Sequence, residues 1–554
     1  MHWITKDVPL DIHPKKDKII YYARYFNCHP LLMQYLFLHG MGRTDELYHF
    51  FQPSYDNLHD PFSLNDMKKA VIRIVKALHT REKVLIFGDY DADGITSTSI
   101  LVKCLKKFLA DVSYRLPLRS EGYGISPSSI AEASNAGVSL IITVDNGSSA
   151  HEAMDEAARK GIDVIVTDHH EILGKYPKCY AFVNPKRHDN TYPFPDLCGA
   201  GVAFKLVHAL CLFVKRDWDR EIKDYIELAT LGTIADLMPL TGENRIICKL
   251  GLRRMNLAPS KAFREIINRL KVSQVNSGTI GFQIAPIFNA LGRIDDPNFA
   301  VEILTSGTIH PKDITKLFEF NQKRKQLTAE QFEACEKSII EKNLSNSNVI
   351  IVYGEYHHGI IGILASRIAE KYNKPAIVIS ENGTGSCRSV NGTSFSIINT
   401  LNRCKNHLSR YGGHQAAAGF SIKPNEKLLN EFIKNMQKSA LHEGPIKPVK
   451  FYFIDCSPQY FSEAIYDDMH LLEPFGQGFS QPIFLSNTLS FDEVQSFGQQ
   501  DAHGKLILPS KESFYLFNRG NIVEKLKNQR IKLFYSSTMN ESHEFIVHGI
   551  KQAK

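Results

Sequence analysis

The segment Gly88-Asp89-Tyr90-Asp91-Ala92-Asp93-Gly94 spaces three carboxylates two residues apart. In extended backbone such residues share a face, so the three side chains project together. They repel one another unless a cation lies among them. Alone, the segment also reads as a solvated acidic turn or a helix N-cap cluster, but it is not alone. Val144-Asp145-Asn146-Gly147 and Thr167-Asp168-His169-His170 each close an apolar run, and Gly232-Thr-Ile-Ala-Asp236 adds a carboxylate after an apolar helix. Mostly carboxylate oxygens, one or two imidazoles and no thiolate suit Mn²⁺ or Mg²⁺ rather than structural zinc. The carboxylates exceed what one ion needs. Two ions about 3.5–4 Å apart fit better, clamping a phosphoryl group while generating hydroxide for in-line attack.

These residues meet only if the elements carrying them converge. Segments 84–87, 139–144 and 163–167 are near-continuous apolar runs of strand type, separated by helical spacing over 95–109 and 150–160. The alternation predicts an α/β fold with a parallel sheet covered on both faces. In such a sheet the strands' carboxyl ends share one rim, the usual place for an active site. Further helices are expected over 201–214 and 220–231, closing a first domain near residue 300. Residues 312–342 read as one long helix joining two bodies. A smaller α/β unit follows, with strands at 349–352 and 376–379 around a helix at 360–372. Beyond residue 450, short alternating segments at 451–454, 505–508, 514–517, 532–535 and 544–547 suggest a small β-barrel or sandwich. The expected organisation is a helical N-terminal region 1–75, a catalytic domain 76–300, a linking helix 301–345, a second α/β domain 346–445 and a β-rich domain 446–554.

Composition sets outer bounds. The chain has 554 residues, 43% apolar and 23% charged, as a multidomain globular protein should. Lys plus Arg is 66 against 59 for Asp plus Glu, a surplus of +7 that permits a nucleic-acid partner without requiring one. Ten cysteines, scattered with no C-x-x-C pair, read as reduced thiols of a cytoplasmic protein rather than a disulfide framework. No secretory signal is visible in residues 1–7, and the most apolar early run, 31–38, is far shorter than the ~20 residues a membrane crossing needs.

The ordered motifs Asp-Tyr-Asp-Ala-Asp-Gly, Val-Asp-Asn-Gly, Thr-Asp-His-His and Gly-Thr-Ile-Ala-Asp resemble those of the DHH phosphoesterase superfamily. Longer motifs narrow the resemblance to its bacterial single-strand-specific 5′→3′ DNA exonucleases. They are Glu121-Gly-Tyr-Gly-Ile-Ser126, Asn289-Ala-Leu-Gly-Arg293 with Asp295-Asp296, Gly359-Ile-Ile-Gly-Ile-Leu-Ala-Ser-Arg367, Gly412-Gly-His414 with Ala-Ala-Ala-Gly419, and Glu473-Pro-Phe-Gly-Gln-Gly478. The matches run from about residue 80 to 485. The resemblance implies a DHH parallel-sheet domain, a long helix, a DHHA1 domain and an OB-like barrel. It implies release of 5′-mononucleotides in DNA recombination and repair.

By that resemblance Asp91 and Asp93 are metal ligands with Asp89 completing or buttressing the site, Asp145 bridges two ions, and His169 and Asp236 complete the shells. Asp168 orients an imidazole and His170 contacts phosphate or supports a ligand from behind. Ser386 and Arg388, in the small-residue turn Gly383-Thr-Gly-Ser-Cys-Arg-Ser389, would bind a 5′-terminal phosphate with Arg119, though such a turn can also be plain surface. Asn289 and Arg293 would contact the strand and His414 would face the same cleft. His357 would either contact phosphate or cap the following helix. Single-stranded DNA is the implied substrate, a single-strand-binding protein and a RecQ-type helicase are candidate partners, and a monomer acting away from membranes is expected.

Two departures stand out. Pro286-Ile287-Phe288-Asn289 lacks an arginine common in relatives, and Phe479 stands where an Asn is common, so strand grip is expected to differ. In the C-terminal segment Tyr515, Phe517, Phe534 and Tyr535 interleave with Arg519, Lys525, Lys527, Arg530 and Lys532, which fits an OB-type barrel that binds single strands, half of these aromatics being core in any small barrel. A phosphodiesterase of short oligonucleotides or cyclic dinucleotides would generally lack the long helix and the barrel. A non-catalytic replication scaffold should lack carboxylates, and none is missing. Strand polarity comes wholly from the resemblance.

Overall fold

The computed structural model describes residues 13–553 except 109, 173, 391, 424, 444–452, 540 and 542. The stretch 1–7 read for a secretory signal, the start of the expected 451–454 strand and the 445/446 boundary lie outside the described residues. No helix among the described residues is long and apolar enough to cross a membrane.

Strands β1 (Lys83–Phe87), β2 (Asp111–Arg115), β3 (Leu140–Val144), β4 (Asp163–Thr167) and β5 (Ala181–Val183) form a wholly parallel sheet in the order β2-β1-β3-β4-β5. Its central strands are apolar throughout because both faces are covered. Val84, Ile86, Leu140, Ile142 and Ile165 enter one core, while Leu85, Phe87, Ile141, Val164 and Val166 enter another. The expected 220–231 helix is broken: Trp218–Glu221 ends before Tyr225, and Ile226–Ala235 then runs to Asp236. Ile287 is fully buried in the first core, so the departure there is a packing residue.

The helix Pro311–Glu341 is 31 residues long, about 46 Å at 1.5 Å per residue. Its Ile314 and Leu317 join the first core and its Cys335 and Ile339 the core of the next unit, so it bridges two bodies. That unit holds β6 (Ile350–Gly354), β7 (Ala376–Ser380), β8 (Thr384–Arg388), β9 (Arg410–Gly413) and β10 (Ala417–Ser421), ordered β6-β7-β8-β10-β9 with only β6 and β7 parallel.

The C-terminal body is a mixed sheet of β11 (Ile454–Asp455), β12 (Phe484–Leu485), β13 (Glu493–Phe497), β14 (His503–Ile507), β15 (Ser513–Leu516), β16 (Ile531–Ser537) and β17 (Glu544–Gln552), ordered β11-β12-β16-β17-β15-β14-β13. The N-terminal helices Lys16–Tyr25, Pro30–Leu38 and Thr44–Phe51 do not form a body of their own. They share one apolar core with this sheet, whereas the helix Met67–Thr80 joins the first core. Phe479 lies at that junction, fully buried against Tyr35, His39, Phe50 and Phe475, with the Arg245 guanidinium 5.2 Å from its ring. Its large ring therefore welds two ends of the chain together rather than facing a strand.

Candidate active site

The carboxyl ends of β1, β3 and β4 deliver Asp89, Asp91 and Asp93, then Asp145, then Asp168, His169 and His170, to one rim, and the helix Ile226–Ala235 delivers Asp236 as its C-cap residue. Three sets of side chains bring ligand atoms within 4.8 Å of one another: Asp89, Asp91 and Asp145; Asp93, His169 and Asp236; and Asp145, Asp168, His169 and His170. His169 Nε2 lies 3.0 Å from Asp145 Oδ1, 3.7 Å from Asp93 Oδ2 and 3.6 Å from Asp236 Oδ2.

The ligands are held from behind. Asp91 is the N-cap of the helix Ala92–Lys107, and its Oδ1 accepts from the N–H groups of Asp93 and Gly94 at 2.9 and 3.0 Å. Both oxygens of Asp93 accept from the N-terminus of the helix Gly199–Phe213, from Gly199 N–H at 2.7 Å and Ala200 N–H at 2.8 Å. Asp145 takes φ +61°, and a Cβ on Gly199 would lie 2.5 Å from the Asp145 Cβ, so only glycine permits this approach. Asp168 accepts from Ser148 N–H at 2.9 Å and His169 N–H at 2.7 Å, and its Oδ1 lies 2.7 Å from His170 Nδ1.

Burial pushes the Asp89 and Asp145 carboxyls well above the usual carboxylate range, neighbouring aspartates adding to it. Burial and then Asp91 raise Asp93 to about 6; burial, Asp93 and Asp91 raise Asp236 to about 8. Burial and the His170 charge lower His169 to about 3. Burial opposes the charged form of His170, but Asp168 outweighs it and raises that ring to about 9. A rim of neutral imidazole and carboxyls reluctant to ionise together fits bound cations. Asp89 Oδ1 and Asp145 Oδ1 are buried without a hydrogen-bond donor, a further sign that these oxygens suit metal ions.

A second cluster is cationic. Arg119 donates from Nε to Gly292 O at 3.0 Å and stacks 4.2 Å over the Tyr90 ring, inside the acidic loop. Arg293 donates to Gly359 O at 3.0 Å, and burial with the charges of Arg119, Arg324 and Arg388 pushes it down to about 9. Arg388 reaches Ser366 Oγ at 3.1 Å and Ser386 Oγ at 3.2 Å. Ser386 Oγ and Arg388 Nη2 would lie 3.2 and 3.0 Å from a Cβ on Gly362, in the first turn of the helix Ile361–Tyr372. Asn289 Oδ1 accepts from Ala92 N–H at 2.8 Å, which steadies the acidic loop. His357 Nδ1 accepts from Gly359 N–H at 3.1 Å, a capping contact. His414 is exposed at the β9–β10 turn, its N–H donating to Ala417 O.

Several participants carried no assignment in the sequence. Tyr123 Oη donates to Asp145 O at 2.9 Å and lies 3.2 Å from both ring nitrogens of His170; it stands inside the 121–126 motif, which could have flagged it. Arg324 comes from the long helix, where no local signal marks it among many charges. Among the C-terminal aromatics, Phe534 and Tyr535 are core. Tyr515 and the half-exposed Phe517 instead form an outer cluster with Phe497 and His503, with Lys505 Nζ 5.3 Å over the Tyr515 ring. The register Phe497↔His503 and Lys505↔Tyr515 puts these side chains on one face of β13, β14 and β15.

Three family models match the chain: the DHH family N-terminal domain over 83–233, the DHHA1 domain over 346–440 and the RecJ OB domain over 454–544. The single-stranded-DNA-specific exonuclease RecJ of Bacillus subtilis strain 168 is 32% identical over 548 residues, covering 95% of this chain and 68% of that one. The protein of the same name from Escherichia coli K12 is 32% identical over 463 residues, covering 76% and 78%. The crystal structure of RecJ from Thermus thermophilus in complex with Mn²⁺ superposes with a TM-score of 0.83 at 25% identity, covering 98% of this chain and 78% of that one. With 32% identity to the Bacillus subtilis protein over 95% of this chain, and the DHH, DHHA1 and RecJ OB models all matched, the chain belongs to the RecJ family of the DHH phosphoesterases.

Proposed function

We propose that this chain is a metal-dependent, single-stranded-DNA-specific exonuclease that removes 5′-mononucleotides in the 5′→3′ direction during recombination and repair. The observation that carries the reading is one carboxylate rim that gathers three overlapping ligand sets, among them Asp89-Asp91-Asp145 and Asp93-His169-Asp236, beside a cluster of arginines. These sets would hold two Mn²⁺ or Mg²⁺ ions, and Asp145 of the first lies 3.0 Å from His169 of the second. When bound, such ions polarise a phosphoryl oxygen and supply hydroxide at neutral pH.

The chain's own groups do the rest. Gly199 and Ala200 N–H fix Asp93, and Asp168 fixes His170 as a cation whose charge offsets the phosphate beside Asp145. Arg119, Arg293, Ser386 and Arg388, with the first turn of the helix Ile361–Tyr372, would bind the terminal 5′-phosphate and so set polarity. The outer aromatics Phe497, His503, Tyr515 and Phe517 would stack on bases further along the strand. One chain carries both triads and the arginines, which supports action as a monomer. An enzyme confined to single strands needs unwinding upstream and shares its substrate with coating proteins, so a RecQ-type helicase and a single-strand-binding protein are the proposed partners, in the cytoplasm.

The test uses single strands labelled at the 5′ or 3′ end, with and without a 5′-phosphate, in Mn²⁺ and in Mg²⁺. Wild type should release the 5′ label first as a mononucleotide. H169A should lose hydrolysis while keeping its fold, and R388A should lose the preference for a 5′-phosphate by about 10–100-fold, the worth of a charged hydrogen bond of about 1.5–3 kcal/mol. Early release of the 3′ label would overturn the polarity, and full activity of H169A in Mn²⁺ would overturn the metal assignment.

A further inference from the structure

The helix Ala92–Lys107 starts at the acidic loop and runs about 24 Å, at 1.5 Å per residue, to a basic last turn. The helix Ile226–Ala235 runs the opposite way and ends at Asp236, so its start also lies far from the rim. Lys107 joins these far ends: its Nζ lies 5.2 Å over the ring of Tyr225, the N-cap of the second helix. Beside them, walled also by Arg254 of the helix Gly242–Leu257, is a cavity of about 540 Å³. Small-molecule sites span about 300–1,000 Å³.

Five of the residues lining this cavity are cations: Lys107, Arg216, Arg220, Lys223 and Arg254. Its three carboxylates are already engaged. Lys107 Nζ holds Glu221 at 2.6 Å and Asp224 at 2.5 Å, and Arg216 reaches Glu221 at 3.4 Å. Asp217 caps the short helix Trp218–Glu221 by accepting from Arg220 N–H at 3.3 Å. Among the described residues Arg220, Lys223 and Arg254 form no ion pair, and Arg254 Nε is buried without a hydrogen-bond partner. The wall thus carries two positive charges in excess, equal and opposite to a phosphate monoester dianion. The space is far larger than a phosphate group. Arg216 stacks its guanidinium 4.2 Å from the Phe108 ring, which holds a flat cationic surface at the wall.

We propose that this cavity binds a free nucleoside 5′-monophosphate, its phosphate on Arg220, Lys223 and Arg254 and its base on Arg216, and that the bound nucleotide slows hydrolysis at the rim. This rests on the exonuclease reading above, whose product it makes an effector. A phosphate that draws Arg220 and Arg254 together across the cavity pulls on segment 216–224. That segment is gripped by Lys107 at the end of the helix that carries Asp91 and Asp93, and it leads into the helix that delivers Asp236. The rim is set for reaction, so a shift of its carboxylates lowers the rate.

The experiment uses the full chain and 2′-deoxyadenosine 5′-monophosphate. Arg220 and Lys223 are exposed, so R220E/K223E should keep the fold. Calorimetry should show a site that R220E/K223E weakens at least about tenfold and that R388A, altered in the cleft, leaves alone. Deoxyadenosine and inorganic phosphate should each bind that site at least about tenfold more weakly than the nucleotide. During hydrolysis of a single strand in Mn²⁺, saturating nucleotide should lower wild-type kcat about fivefold, whereas R220E/K223E should show at most a raised KM. Survival of every wild-type site in R220E/K223E, equally tight binding of deoxyadenosine or phosphate, or an unchanged wild-type kcat would overturn the proposal. A wild type that binds the nucleotide in the cavity yet degrades no strand would instead bring down the exonuclease reading, and the effector role with it.

Discussion

Gly232 lies four residues before Asp236, and a Cβ there would sit 2.5 Å from Ala200 Cβ, 2.6 Å from Asp93 Oδ1 and 2.7 Å from Thr96 Oγ1. None of these neighbours is a flexible end that can swing aside. Ala200 donates its own N–H to Asp93 Oδ1 at 2.8 Å, and Thr96 Oγ1 donates to Ala92 O at 2.8 Å. Ordinary carbon contacts need about 3.5 Å, so G232A must push the helices or the Asp93 carboxylate apart by about 1 Å. Overpacking of this kind costs about 1–3 kcal/mol of stability. A displacement of about 1 Å at the reacting groups costs about 100-fold in rate. G232A should therefore fold, melt lower, bind Mn²⁺ more weakly and lose about 100-fold in kcat.

A control separates jamming of the ligand from loss of stability. Gly251 packs the same helix Ile226–Ala235 from its other end, where a Cβ would lie 1.9 Å from Thr230 Oγ1 and 3.0 Å from Ile226 O. G251A should lower the melting temperature at least as much while its folded molecules keep their turnover. The assays are single-strand hydrolysis at saturating Mn²⁺, calorimetric Mn²⁺ binding and thermal melting. Wild-type kcat and Mn²⁺ affinity in G232A, or an equal kcat loss in both variants, would refute the argument.

Other consequences follow from the same geometry. F517A should weaken single-strand binding about tenfold by fluorescence anisotropy, whereas F534A should unfold the C-terminal body instead, since that ring is core. Burial lowers His208 to about 3, against about 6.5 when unfolded, so the unfolded chain binds a proton that the native one refuses as pH falls from 6.5 toward 3. At pH 5 this costs about 2 kcal/mol, and H208F should show a smaller drop in melting temperature between pH 7.5 and pH 5 than wild type. Removing residues 446–554 should leave the helices Lys16–Tyr25, Pro30–Leu38 and Thr44–Phe51 without their shared core, so that 1–445 aggregates in size-exclusion chromatography while 55–445 stays dispersed.

The rim was legible because its ingredients are local. Apolar runs of strand length ending in Asp145 and in Asp168-His169-His170 need only the parallel-sheet rule to be brought together. The supporting contacts were not, because they are long-range. The N–H groups of Gly199 and Ala200 meet Asp93 more than a hundred positions earlier, and nothing in the spacing announces it. β2 and β5 escaped because the first is a polar edge strand and the second has three residues, so neither makes an apolar run. The N-terminal aromatics read as a separate lead-in because a sequence shows that Phe50 needs a partner but not that Phe479 supplies it. The aromatics of the last domain could not be sorted until register fixed their faces, since Phe534 and Phe517 look alike in sequence.

The segment after Asp236 ties the carboxylate rim to the C-terminal body. Asp236 closes the helix Ile226–Ala235, and only four residues on Leu240 is bound to Gln477. Arg245 then donates to Glu473 O at 3.0 Å and Pro474 O at 3.2 Å while its guanidinium lies 3.6 Å from the Phe50 ring. A buried cation is costly to leave unpaired, so these carbonyls and rings fix the 473–479 loop in one place. The C-terminal body is thereby tied by hydrogen bonds at Leu240 and Arg245 to the segment that follows Asp236. A strand bound at both ends of this connection would be held at a fixed distance from the carboxylates, as the proposed removal of one nucleotide at a time demands.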